Sequence, residues 1–174
     1  LTGGAGYIGS HAALSLLDAG HSVHIIDDLS TGNKSLIPKN AFFTKCNIND
    51  EEVISELIKS NSFDLLMHFA GFIQVEESVK YPQKYFDNNT ENATKLFETC
   101  KNNGLNKIVF SSTAAAYGSV SENKLIDENT NLNPQNPYAV SKIKTENFLF
   151  KNKHDYKFII LRYFNVAGAD KKLR

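Results

Sequence analysis

The chain has 174 residues, 41% of them hydrophobic and 22% charged, with a formal net charge of zero. That length supports one domain with a sizeable core. The balanced charge supplies neither the basic footprint of a nucleic-acid binder nor a polybasic membrane patch, and no apolar run is long enough to span a bilayer. Two cysteines, Cys46 and Cys100, stand far apart without a C-x-x-C or a histidine at metal-ligand spacing. They read as reduced thiols of a cytoplasmic protein, and no metal site is expected.

The chain opens "LTGGAGYIGSH", so Gly3, Gly6 and Gly9 recur at three-residue intervals. The run "YIGSHAALSLLDAG" is helix-like and ends at Gly20. "SVHIID" (22–27) reads as a buried strand and "AFFTKC" (41–46) as a shorter one. In "DEEVISELIKS" (50–60), Val53, Ile54, Leu57 and Ile58 form a helical stripe. "FDLLMHFA" (63–70) is a strand. The stretch from about Pro82 to Asn103 is expected to be one long helix, with Phe86, Ala93, Leu96, Phe97 and Cys100 inward and Gly104 at its C-terminal end. "NKIVFSS" (106–112) is a strand, and 121–137 is a polar, turn-rich loop in which Glu122, Asp127 and Glu128 are solvated. A helix follows from near Pro137, then a strand, "YKFIILRYF" (156–164). Apolar strands alternating with amphipathic helices predict an α/β fold, a Rossmann-like doubly wound parallel sheet.

The glycine triplet gains weight from this context. A tight turn needs residues without Cβ, and a pyrophosphate approaches closely only over glycine. The following helix would face the phosphates with free N–H groups and a favourable dipole. Eighteen residues after Gly9, Asp27 ends the next strand, where a carboxylate accepts both ribose hydroxyls of NAD. A 2′-phosphate would be repelled there, and the adjacent Asp28 adds to that repulsion. The bland alternative is a structural glycine turn.

Further on, "NPYAVSK" places Tyr138 and Lys142 four residues apart, on one face of a helix. A cation beside a phenol favours phenolate, so the Tyr138 pKa is expected to fall and fit it to take a proton. The bland alternative is a surface tyrosine and a surface lysine.

Together, "TGGAGYIGSH", Asp27, "HFAGFIQVEESVKYPQKYFDNN", "KIVFSSTAAAYG", "NPYAVSK" and "LRYFNVAGA" resemble the extended short-chain dehydrogenase/reductase superfamily and, within it, the UDP-glucose 4-epimerase family. The order and spacing fit, including 25 residues from Thr113 to Tyr138. The resemblance implies interconversion of UDP-glucose and UDP-galactose by transient oxidation at sugar C4, with bound NAD. It implies that Tyr138 is the base at the 4-hydroxyl. Lys142 lowers its pKa and binds the nicotinamide ribose, and Thr113 hydrogen-bonds the reacting oxygen. Gly3, Gly6, Tyr7, Ile8 and Gly9 cradle the pyrophosphate. Asp27, Asp28 and Thr31 belong to the cofactor site, and Asn47 and Ile48 hold the adenine. Phe69, Ala70 and Gly71 line the cleft, flanked by Asn88 and Ser111. Phe164 lies near the nicotinamide and Asn165 near the UDP-sugar. His68 is expected to be a hydrogen-bonded core residue and His11 a structural one.

The chain departs from the family pattern at Thr113 for Ser, Asn47 for Asp, Ile73 for Lys and Glu76 for Gly. Related dehydratases and decarboxylases carry acidic residues after the threonine; here Ala114 and Ala115 follow, which disfavours dehydration. Other nucleotide-sugar epimerases, such as a UDP-N-acetylglucosamine 4-epimerase, remain alternatives. A non-catalytic dinucleotide sensor is disfavoured because Tyr138, Lys142 and Thr113 are all present.

The chain starts without Met and stops at "DKKLR". Residues 1–174 are therefore expected to be an NAD-binding domain incomplete at both ends. Most of the first strand and the C-terminal substrate lobe would be missing, and a removed leader stays open. On that ground the chain alone is expected to be poorly stable and inactive. The full-length parent is expected to bind a UDP-sugar and, as the family often does, to form a homodimer.

Overall fold

The computed structural model describes residues 1–120 and 125–172. Glu122 and the rest of 121–124 lie outside the described residues; Asp127 and Glu128 are exposed, as expected of a solvated loop. The elements are α1 (Tyr7–Asp18), β1 (His24–Ile26), β2 (Phe42–Thr44), α2 (Glu51–Ser60), β3 (Leu66–His68), α3 (Val75–Lys80), α4 (Pro82–Phe86), a π-helical segment (Asp87–Asn92), α5 (Ala93–Asn102), β4 (Lys107–Thr113), a 3-10 turn (Ala114–Tyr117), α6 (Pro137–Lys151) and β5 (Lys157–Tyr163).

All strand pairings are parallel. β1 pairs with β2, and β3, β4 and β5 pair in that order. Leu1 and Thr2 occupy the position between β1 and β3, with Thr2 bridging both Ile26 and His68. The Thr2 N–H donates to the Met67 carbonyl at 2.9 Å, and Ile26 N–H to the Leu1 carbonyl at 2.9 Å. The Gly3 and Phe69 N–H groups close the ladder on Ile26 and Thr2. The two residues thus join two blocks of strands into one parallel layer.

Successive strand residues point to opposite faces. Accordingly Ile25 packs with Ala13 of α1, whereas Ile26 packs with a second cluster holding Ile54, Leu96, Phe97 and Phe110. Helices therefore cover both faces of the layer, as a doubly wound sheet requires. Ile54 of the α2 stripe is buried, and Val53, Leu57 and Ile58 are half-buried.

Three features differ from the sequence reading. The expected strands overshoot the observed ones by one to three residues at their ends, except that β4 runs one residue past the expected 112, to Thr113. The long helix is continuous from Pro82 but carries the π segment, and a short helix, α3, precedes it. Tyr85, not Phe86, is the fully buried aromatic of its first turn. The wider π turn takes an extra residue, so counting back from Ala93 at α-helical spacing lands one position off. Phe86 instead lies half-buried beneath the Lys144 ammonium, 4.1 Å from its ring centre.

Candidate active site

Gly3 sits at φ 71°, and a Cβ there would lie 2.5 Å from the Ala70 nitrogen. A Cβ on Gly9 would lie 2.2 Å from the Gly3 carbonyl oxygen. The first turn of α1 therefore rests directly on the loop backbone, and the loop rests on the end of β3. No side chain caps α1 at Gly6, so its first N–H groups are left for another partner.

Asp27 is buried and braces this loop. One carboxylate oxygen accepts the Ala5 N–H at 3.0 Å and the other the Leu29 N–H at 2.9 Å. The second bond closes a turn that holds Leu29 at φ 62°, a left-handed conformation a branched side chain adopts only under restraint. Asp28 repeats the device on the Ser30 N–H at 2.8 Å.

These loops wall an open cleft. Of the residues expected at a cofactor site, Gly3, Gly6, Asp27, Asp28, Thr31, Asn47, Ile48, Phe69, Ala70, Gly71 and Asn88 line it. Ser30, Gly32, Cys46 and Phe72 line it as well and were not foreseen. Tyr7, Ile8 and Gly9 open α1 just behind Gly6.

The second half of the site comes from β4 and α6. Asn136 caps α6, its side chain accepting the Ala139 N–H at 2.8 Å, and Pro137 fits the first turn, where no N–H is needed. Tyr138 and Lys142 then lie on successive turns. Lys142 is buried, which rules out the surface reading, and its ammonium donates to the Ser111 carbonyl at 3.1 Å. A Cβ placed on Gly71 would lie 3.1 Å from that ammonium, so Lys142 reaches the cleft wall. The Thr113 hydroxyl accepts the Ala115 N–H at 3.1 Å and lies near enough to the Tyr138 phenol to act on its pKa. The Tyr138 ring also packs edge-on against Tyr85.

The expected drop in the Tyr138 pKa is corrected by this geometry. Burial raises it, and only the Thr113 hydroxyl works in the other direction. Lys142 shares a face with Tyr138 but directs its donor to Ser111, and burial lowers its own pKa to about 8.

Phe164 and Asn165 follow β5, exposed and outside the cleft lining. His68 is a core histidine, as expected: it is buried, shares a 2.7 Å hydrogen bond with the Thr2 hydroxyl, and lies against Phe97 and Phe110. His11 contacts the Tyr7 carbonyl at 2.9 Å. Ile73 and Glu76 are both exposed. Among the described residues, no cluster of three or more His, Cys, Asp or Glu side chains could hold a metal ion, and no helix is long and apolar enough to cross a membrane.

Residues 1–174 match the NAD dependent epimerase/dehydratase family over their whole length. The chain belongs to that family. It is 45% identical over 172 residues to the UDP-glucose 4-epimerase of Azospirillum brasilense, covering 98% of this chain and 49% of that protein. Among solved structures it superposes with a TM-score of 0.91 on the UDP-glucose 4-epimerase of Thermus thermophilus in complex with NAD, at 35% identity, covering 97% of this chain and 55% of the other. The UDP-N-acetylglucosamine 4-epimerase from Methanobrevibacter ruminantium M1, in complex with UDP-N-acetylmuramic acid, gives a TM-score of 0.86 at 36% identity, with 97% and 55% covered. The chain spans about half the length of the curated relatives it matches.

In this epimerase/dehydratase family member a buried polar network stands behind the site, and the sequence did not reveal it. Glu146, one turn beyond Lys142 on α6, is almost fully buried. It takes a forked pair of bonds from Arg162 of β5, the shortest 2.6 Å, and one from the Ser112 hydroxyl. Arg162 also donates to the Tyr117 hydroxyl at 3.0 Å, and the carboxylate holds the guanidinium pKa above its usual value. A second device is Asn89, whose amide donates to the Phe72 carbonyl and accepts the Phe72 N–H, both at 2.9 Å. It pins the cleft wall to the π segment.

Proposed function

We propose that this chain is the NAD-binding part of a UDP-sugar 4-epimerase that interconverts UDP-glucose and UDP-galactose by transient oxidation at sugar C4. One observation carries the reading: Lys142 reaches the Gly71 wall of the glycine-loop cleft from α6, the helix that also carries Tyr138 one turn earlier. The cleft fits a dinucleotide, because Gly3 and Gly9 leave no room for a Cβ and α1 begins without a side-chain cap. NAD, when bound, supplies the group that takes hydride from C4 and returns it.

The chain's own residues do the rest. Gly3, Gly6, Tyr7, Ile8 and Gly9 hold the diphosphate at the helix N-terminus. Asp27, with Asp28 and Thr31, holds the adenosine ribose and repels a 2′-phosphate. Asn47 and Ile48 receive the adenine. Phe69, Ala70, Gly71, Asn88 and Ser111 shape the nicotinamide half, and Phe164 lies near the nicotinamide. Tyr138 takes the proton from the sugar 4-hydroxyl, Thr113 hydrogen-bonds that oxygen, and Lys142 binds the ribose. Asn165 contacts the UDP-sugar. The chain spans about half the length of the curated relatives it matches, and on this reading these residues are expected to be inactive alone. A cytoplasmic homodimer is the proposed working form.

Ala114 and Ala115 follow Thr113 in the 3-10 turn, so no carboxylate stands there to help eliminate water. Similarity to a UDP-N-acetylglucosamine 4-epimerase keeps that substrate as the second reading. The test is to give UDP-galactose, without added NAD, to the protein expressed from its complete reading frame. UDP-glucose is the expected product. Bound NAD without conversion would move the substrate to another UDP-sugar, UDP-N-acetylglucosamine first.

A further inference from the structure

The loops after β1 and β2 form one wall of the cleft, and a side-chain bond ties them together. The Asn47 amide nitrogen donates to Asp28 at 2.9 Å. Both groups are fixed from their other ends. The second Asp28 oxygen accepts the Ser30 N–H at 2.8 Å, and the Asn47 amide oxygen accepts the Asn49 N–H at 3.2 Å. The Asn47 nitrogen therefore faces Asp28 and its oxygen faces the turn before α2.

The chemistry of this pair is one-sided. A carboxylate facing an amide makes a charge-assisted hydrogen bond, roughly twice as strong as a neutral one. Two carboxylates at that distance cannot both ionise without cost. The wall is already acidic: Asp27 lines it, and the neighbouring Cys46 thiol is pushed up to about 11 by burial, with Asp50 and Asp28 adding to the rise. A third lining carboxylate, at position 47, would face Asp28 directly.

We propose that Asp28 and Asn47 act as one unit, a carboxylate facing an amide, that sets the width and orientation of the adenine end of the cleft. Both are positioning residues, and the proposal rests on the cofactor reading above.

A double-mutant cycle tests it. Asn47→Asp, Asp28→Asn and the exchanged double variant are made in the protein from the complete reading frame and freed of nucleotide. NAD is titrated calorimetrically, and melting is followed without ligand. Each single change is expected to weaken NAD binding by about tenfold or more and to lower the melting temperature, while the double variant recovers to within about threefold of the parent. A double variant no better than the worse single one overturns the proposal. So does an Asn47→Asp protein that binds and melts like the parent. If the parent itself binds no NAD, the cofactor reading fails. The melting temperatures then still decide the pair: recovery in the double variant supports it, and additive losses overturn it.

Discussion

Lys142 is the residue at which stability and the proposed chemistry pull apart. Its ammonium is buried, with the Ser111 carbonyl at 3.1 Å and the Phe110 ring centre at 5.1 Å, and among the described residues no carboxylate bonds it. Its folded pKa of about 8 lies below the 10.5 of a free lysine. The folded state thus binds this proton more weakly than the unfolded chain does, and its burial costs stability in full below pH 8. The cost fades as pH rises from about 8 towards 10.5. Lys142→Met is expected to raise unfolding stability by about 1–3 kcal/mol at neutral pH while turnover collapses. Denaturation at pH 7 and pH 10 checks it: the gain should shrink at the higher pH. Tyr138→Phe should keep the fold and NAD and lower turnover by about 10²–10⁴-fold, the usual contribution of a positioned base. Unchanged turnover would remove Tyr138 from the proton step.

At the scale of elements, α6 is held by more than its apolar face. Glu146 bonds Ser112 of β4 and Arg162 of β5, next to the strand ends that carry Ser111 and Thr113. Glu146→Ala leaves the Arg162 cation mostly buried without its carboxylate, and should cost about 3–5 kcal/mol in urea unfolding. A loss below about 1 kcal/mol would mean that solvent relieves the cation, as at exposed pairs. Such a network is hard to read from sequence. Glutamate on a helix and arginine on a strand each suggest solvent, and their partners lie 16 and 34 residues away. The glycine loop, Asp27 and the Tyr138–Lys142 spacing were legible because local geometry dictates them. The α3 helix was not, since Val75 and Val79 point outward and mark no core stripe. Nor was the Tyr138 pKa, because spacing on a helix gives proximity but not the direction of a donor.

For the molecule as a whole, the sheet is strongest where it is longest. β4 and β5 pair over seven positions, from Lys107–Lys157 to Thr113–Tyr163. The β1–β2 block joins the rest of the sheet through Leu1, Thr2 and Gly3. In hydrogen exchange on the 174-residue chain, the Thr2, Gly3, Ile26 and Phe69 amides should open at lower free energy than those of Ile108 and Phe110. Uniform protection across both sets would show that the seam opens only with global unfolding. The β5 edge carries Ile159, 60% exposed, with Phe164 beyond it at 67%. That is apolar surface of the kind that self-associates.

The π segment at Asp87–Asn92 sets a rule about length rather than composition. Exposed Asp87 and Glu91 can be exchanged there at little cost. Removing any one residue would turn the segment into ordinary α-helix and rotate α4 by about 100° against α5. Tyr85 would swing away from Tyr138, and Asn89 would lose Phe72. A library that varies this stretch should therefore hold its residue count fixed, because here a deletion does what no point substitution can.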